Sequence, residues 1–134
     1  MATRSTIAMA DGDYIKAIYC HYDGYPEGVG VTLSNFYNDS DKVAELIALG
    51  DISTLDEFVV PVGTQHSFGT PEIGVTVAYG RDRQETGVEP RYFTTVENWL
   101  ESYDNTGCEF AYLWNPVINY WNVFEVRTRK VLSL

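Results

Sequence analysis

Two glycines and a proline fall within six residues at Asp23-Gly24-Tyr25-Pro26-Glu27-Gly28, directly after an alternating apolar segment. Glycine accepts backbone angles closed to other residues, and proline fixes φ and removes a donor. No strand or helix runs through such a segment, so it predicts a shaped turn between two elements. Before it, Tyr14 to His21 reads as a strand. Ile15, Ala17, Tyr19 and His21 share one face, and Tyr14, Lys16, Ile18 and Cys20 the other. Asp11-Gly12 joins this strand to an earlier one over Thr3–Ala10, as a hairpin. After the turn, a helix is predicted from about Gly28, with Val29, Leu33, Phe36 and Tyr37 as its apolar stripe.

The remaining pattern is mixed. Asn38-Asp39-Ser40 caps a second helix that buries Val43, Leu46 and Ile47 and stops at Gly50. The two helices form a helical hairpin. Phe58–Val62 and Ile73–Tyr79 are β-like, the first demoted to an edge by Pro61. Thr94-Thr95-Val96-Glu97 matches a capping box ahead of Val96, Trp99, Leu100 and Tyr103 at helical spacing. Two aromatic strands, Glu109–Trp114 and Val117–Val126, close the chain. The expected class is α+β: a single compact domain over 1–134, with a mainly antiparallel sheet, the helical hairpin and one further helix. The helices are expected on one face of that sheet.

Charge excludes some functions. Nine basic and nineteen acidic residues give −10. Duplex DNA and anionic membranes are bound mainly through Lys and Arg, so neither direct DNA binding nor membrane binding is expected. No basic residue lies between Lys42 and Arg81, or between Arg91 and Arg127. An anion site must therefore draw on Arg4 or on one of two clusters, Arg81/Arg83/Arg91 and Arg127/Arg129/Lys130.

The reactive side chains do not form a known catalytic pattern. Cys20 and His21 are neighbours on a strand, so they diverge to opposite faces. With His66 and Cys108 they lack zinc spacing, and no metal, cofactor or catalytic residue is assigned. Both thiols are expected reduced, and a cytoplasmic location is expected because no leader pattern is visible.

Thr3-Arg4-Ser5-Thr6-Ile7-Ala8, Ile18-Tyr19-Cys20-His21-Tyr22-Asp23-Gly24-Tyr25-Pro26-Glu27-Gly28-Val29-Gly30 and Lys42-Val43-Ala44-Glu45-Leu46-Ile47-Ala48-Leu49-Gly50-Asp51-Ile52-Ser53 resemble a largely uncharacterised family of small bacteriophage and prophage proteins. The likeness extends loosely to Arg81-Asp82-Arg83-Gln84-Glu85, where Gly is expected in place of Gln84, and to the C-terminal hairpin. It implies a phage setting, hence the host bacterial cytoplasm, and no activity. That setting suggests an analogy with phage sponge proteins, which sequester nucleotide immune signals.

The expected function is a non-catalytic, counter-defence accessory protein that binds a small nucleotide-like ligand. Arg4, Arg81 and Arg83 would hold phosphates, and Tyr19, Tyr22, Tyr25 or Tyr79 would stack on the base. His21 and Asp23 would be presented beside them at a helix N-terminus. One alternative is an acidic inhibitor of a host defence protein or nucleic-acid enzyme. Another is a small hydrolase using His21 and Asp23. Tyr112, Trp114, Tyr120 and Trp121, taken as strand-edge aromatics, suggest a homo-oligomer.

Overall fold

The computed structural model describes residues 2–133. Strands β1 (Ser5–Asp11) and β2 (Tyr14–Cys20) form the hairpin at Gly12, whose φ is 59°. Pro26–Gly30 is a single π turn that leads into α1 (Val31–Phe36), followed by α2 (Ser40–Ala48). Then come β3 (Ile52–Thr54), β4 (Val77–Ala78), α3 (Tyr79–Arg83) and β5 (Arg91–Phe93). The chain closes with α4 (Val96–Asp104), β6 (Phe110–Asn115), β7 (Tyr120–Glu125) and β8 (Val131–Leu132). The strands make one eight-stranded sheet in the order β4-β3-β2-β1-β6-β7-β8, with β5 also paired to β2. Most pairings are antiparallel, but β1–β6 and β2–β3 are parallel. The class is α+β, with a mixed sheet.

The expectation of helices on one face is corrected. Ile7 and Ile18 look onto Leu33, Val43, Leu46 and Ile47 of α1 and α2. Ala8 and Ala17 look the other way, onto Trp99, Leu100 and Tyr103 of α4. The central hairpin alternates apolar with apolar, so both faces are covered around Ile7, Ala8, Ala17 and Ile18. No helix among the described residues is long and apolar enough to cross a membrane.

Several boundaries move for local reasons. Of the strand expected over Ile73–Tyr79, only Val77–Ala78 pairs in the sheet, because Tyr79 opens α3. Phe58–Val62 is reduced to a single bridge, Phe58 to Val75. Thr95, not Thr94, caps α4, its hydroxyl accepting the Asn98 N–H at 3.0 Å. Asp39 caps α2 as expected, accepting the Lys42 N–H at 2.9 Å. Part of the aromatic excess is spent inside. Trp99, Trp114, Tyr37, Tyr103 and Tyr112 are fully buried, and Trp121 nearly so. Their polar tips are satisfied: Trp99 by Thr6, Trp114 by Ser40, Trp121 by the Tyr37 carbonyl, Tyr37 by the Asp56 carbonyl and Tyr112 by the Gly24 carbonyl. Tyr112, Trp114 and Trp121 are therefore core residues on interior strands, and only Tyr120 of that group is exposed. They give no support to self-association.

The outer edge of β2 is shared. β5 pairs with Ile15–Ala17, and β3 begins opposite Cys20. Between them, the buried Asp51 takes the Tyr19 N–H on its carboxylate at 2.9 Å. Its own N–H donates to the Val88 carbonyl at 2.8 Å, and its carbonyl accepts the Tyr79 N–H at 3.2 Å. Burial pushes the Asp51 carboxyl above its ordinary value, opposed by the Tyr19 N–H and the Arg91 charge. A folded pKa above the unfolded one means that stability falls as pH rises through that window, starting near 3.9. Asp51→Asn keeps the acceptor and lacks this loss, so it should match or exceed the parent at pH 7 and lose that advantage on acidification towards pH 4. Asp51→Ala, which orphans the Tyr19 N–H, should cost about 1–3 kcal/mol. Chemical denaturation of both variants at pH 4 and pH 7 checks the pair.

Candidate functional site

Helix α4 covers only part of its face of the sheet. Towards the C-terminal end of β2 that face carries Tyr19 and His21, with Arg4 leading into β1 beside them. Strand parity explains why. Ser5, Cys20, Ile52 and Ala78 lie opposite one another across four strands and point to the α1/α2 side. The residues adjacent to them, Arg4, Tyr19, His21, Ser53 and Tyr79, alternate to the other side. The ladder continues past Cys20, with the His21 and Tyr22 N–H groups donating to Ile52 and Ser53.

The side chains form a row. The Tyr19 hydroxyl lies 2.7 Å from His21 Nδ1. The His21 ring meets Tyr22 edge-on at 4.5 Å between centroids. Tyr79 lies close enough to Tyr19 to raise that phenol, and Tyr22 close enough to Tyr79 to raise its phenol in turn, with Ser53 nearby. Beyond it, Phe68 lies 5.5 Å from Tyr79, and the Arg83 guanidinium sits over Phe68 at 4.8 Å. At the opposite end, Arg4 donates to the Thr106 carbonyl at 3.1 Å, and its charge acts on the Tyr19 phenol. Burial pushes the Tyr19 phenol up to about 12, against the pull of Arg4. Burial likewise pushes Cys20 and Cys108 up to about 12, so both stay thiols at neutral pH and neither is a ready nucleophile.

Other expected site residues go elsewhere. Asp23 is a turn residue with φ 57°, its carbonyl accepting the Val29 N–H and its carboxylate accepting the Tyr25 hydroxyl at 3.2 Å. Gly24 passes so close to β1 that a Cβ there would lie 2.7 Å from Ser5 Cβ. Asp23 and Tyr25 line a neighbouring cleft of about 200 Å³ with Tyr22, Glu27, Thr32 and Leu55. Tyr22 is thus shared between the row and the cleft. His21 and Asp23 make no bond to each other, since each has its own tyrosine partner. Among the described residues, no three His, Cys, Asp or Glu side chains gather as a metal site.

Arg81 is corrected from ligand grip to structural staple. Its Nη1 donates to the Val59 carbonyl and its Nη2 to the Thr76 carbonyl, while Nε holds Asp82 at 2.8 Å. Asp82 also accepts from the Ala78 N–H at 2.8 Å and from His66 Nε2 at 3.0 Å. His66 Nδ1 in turn accepts the Glu72 N–H, so both ring nitrogens are occupied. Burial alone would raise the Asp82 carboxyl, but these partners hold it below the ordinary carboxylate value. The network ties the long 55–76 segment, and with it Phe68, to α3. Ser53, Phe68 and Asp51 escape sequence reasoning because each gains its role from a distant partner.

Arg81→Ala leaves Asp82 a buried carboxylate without its main cation. It should cost about 3–5 kcal/mol and release amide-exchange protection in the segment it staples, at the Phe58 and Thr76 amides. Thermal unfolding with hydrogen exchange measures both. No known protein family matches the chain, and neither a characterised protein nor a solved structure shows significant similarity to it.

Proposed function

We propose that this is a non-catalytic phage accessory protein that counters host defence by binding a small nucleotide-type signalling ligand on the open part of the sheet. The observation that carries the reading is the row Phe68, Tyr79, Tyr22, His21 and Tyr19, bounded by the guanidinium groups of Arg83 and Arg4. Aromatic faces stack on bases without demanding one base, and guanidinium forks grip phosphate oxygens. The two cations stand at opposite ends of the row, which suits a ligand with phosphates separated by a base or sugar. Arg83 is exposed and only loosely paired to Glu85 at 3.4 Å, so a phosphate can compete for it.

Two features weigh against the hydrolase alternative. His21 turns its Nδ1 to Tyr19, and Asp23 serves the turn, so no base–orienter pair is assembled. The phage setting rests on the sequence likeness, and the host cytoplasm is its natural compartment. The ligand test is thermal denaturation against cyclic mononucleotides, cyclic dinucleotides and cyclic ADP-ribose isomers. A true ligand at a hundredfold excess over its Kd adds about 2.7 kcal/mol, a rise of several degrees in Tm. Arg4→Ala should weaken that ligand by about tenfold, the loss of one charge-assisted hydrogen bond. If no member of the panel raises Tm, the nucleotide reading fails.

A further inference from the structure

We infer that Tyr19 holds His21 as an Nε2–H donor, and that His21 and Arg4 together are the point at which the site takes an oxyanion, the phosphate of its ligand. The inference rests on the ligand-binding reading above but commits to which end is the anion point.

The first support is the 2.7 Å contact between the Tyr19 hydroxyl and His21 Nδ1. Two proton arrangements fit that distance. If Nδ1 carried the proton, the phenol would accept it, and its own hydrogen would need another acceptor. Among the described residues the Tyr19 hydroxyl has no other hydrogen-bond partner. A phenol O–H is a stronger donor than an imidazole N–H, and an imidazole nitrogen a stronger acceptor than a phenol oxygen, so the phenol donates and Nδ1 holds a lone pair. The proton of the neutral imidazole is then on Nε2, the nitrogen not bonded to Tyr19. Tyr22, edge-on to the ring, limits its rotation.

The second support is the state of Arg4. In a chain of charge −10, Arg81, Arg83 and Arg129 have carboxylate partners, while Arg91 and Arg127 have none among the described residues but lie away from the row. Arg4 has no carboxylate within 4.0 Å among the described residues. Its one bond, to the Thr106 carbonyl, anchors the guanidinium without neutralising it, and the side chain is exposed. Arg4 precedes Ser5, the antiparallel register partner of Cys20, so it stands across the hairpin from His21, and the cation and the Nε2–H together present donors only. Such a pair favours an acceptor that carries negative charge and disfavours a cation or a donor group.

The experiment uses the intact protein and inorganic sulfate, a dianion that does not titrate in the working range. Nitrogen-resolved NMR at pH 8 reads the His21 tautomer directly, and a sulfate titration reads the shifts of His21 Nε2 and the Arg4 side chain. The expected result is an Nε2–H tautomer with saturable shifts at both residues. Tyr19→Phe should weaken sulfate by about threefold to tenfold, the worth of one hydrogen bond. His21→Gln, which keeps an N–H near the place of Nε2, should retain most of the affinity, whereas His21→Glu should abolish it. A proton on Nδ1, or sulfate binding indifferent to His21→Glu, would overturn the assignment. Sulfate binding with these properties but no stabilising nucleotide would leave this anion point standing and sink the proposed function.

Discussion

Asp51 joins four parts of the sheet through three different groups. Its carboxylate holds the Tyr19 N–H of β2, its amide reaches Val88 ahead of β5, and its carbonyl takes the Tyr79 N–H just after β4. β3 begins at the next residue. The outer edge of β2 changes partner at this point, and without Asp51 the Tyr19 amide would face the gap unpaired. Gly50 makes the close approach possible. A Cβ at that position would lie 2.2 Å from the Val88 oxygen, and its φ is 78°. Because Tyr19 and Tyr79 both hang from Asp51, the spacing of the aromatic row depends on this one residue. A carboxylate used in this way is destabilised by its own burial, which is why its cost depends on pH.

The arginines divide by partner. Arg81 and Arg129 are bound into ion pairs and to backbone carbonyls, and serve the fold. Arg91 reaches the Tyr103 hydroxyl, between α4 and β5. Arg83 and Arg4 are the ones left at the surface of the row. Overall charge keeps anions away from most of this protein, so an unneutralised cation matters more here than it would on a basic surface. The same logic governs the tyrosines and tryptophans. Five of them place a polar tip on a carbonyl or hydroxyl inside the core, and those of the row are among the ones that reach solvent.

The hairpin at Asp11-Gly12, the caps of α2, the stripe of α4 and the break at Asp23–Gly28 were all legible in the sequence, because each follows from interactions within a few residues. Strand parity also read correctly: it separated Cys20 from His21 and put His21 beside Tyr19, as the 2.7 Å contact bears out. Segments without a local signature did not read. Ile73–Tyr79 alternates like a strand, yet Asp82 caps the Ala78 N–H and turns Tyr79 into a helix. The three-residue β5 was missed for the same reason: it exists only because β2 offers it an edge.

The break at Asp23–Gly28 shows where the boundary lies. By itself the sequence determined that a strand must end there and that a tight turn must follow, since Gly and Pro restrict the backbone locally. It also determined which side chains share a face. Only the tertiary structure decided which of those faces stays open. That choice rests on where α4 docks, on how far β3 and β5 share the edge of β2, and on whether an arginine finds a carboxylate. Each is a contact between residues distant in the chain, and no local pattern encodes it. So Arg4 and Arg81, equal as candidates in the sequence, part company in the fold: one is left unneutralised at the surface, and the other is spent on two carbonyls and Asp82.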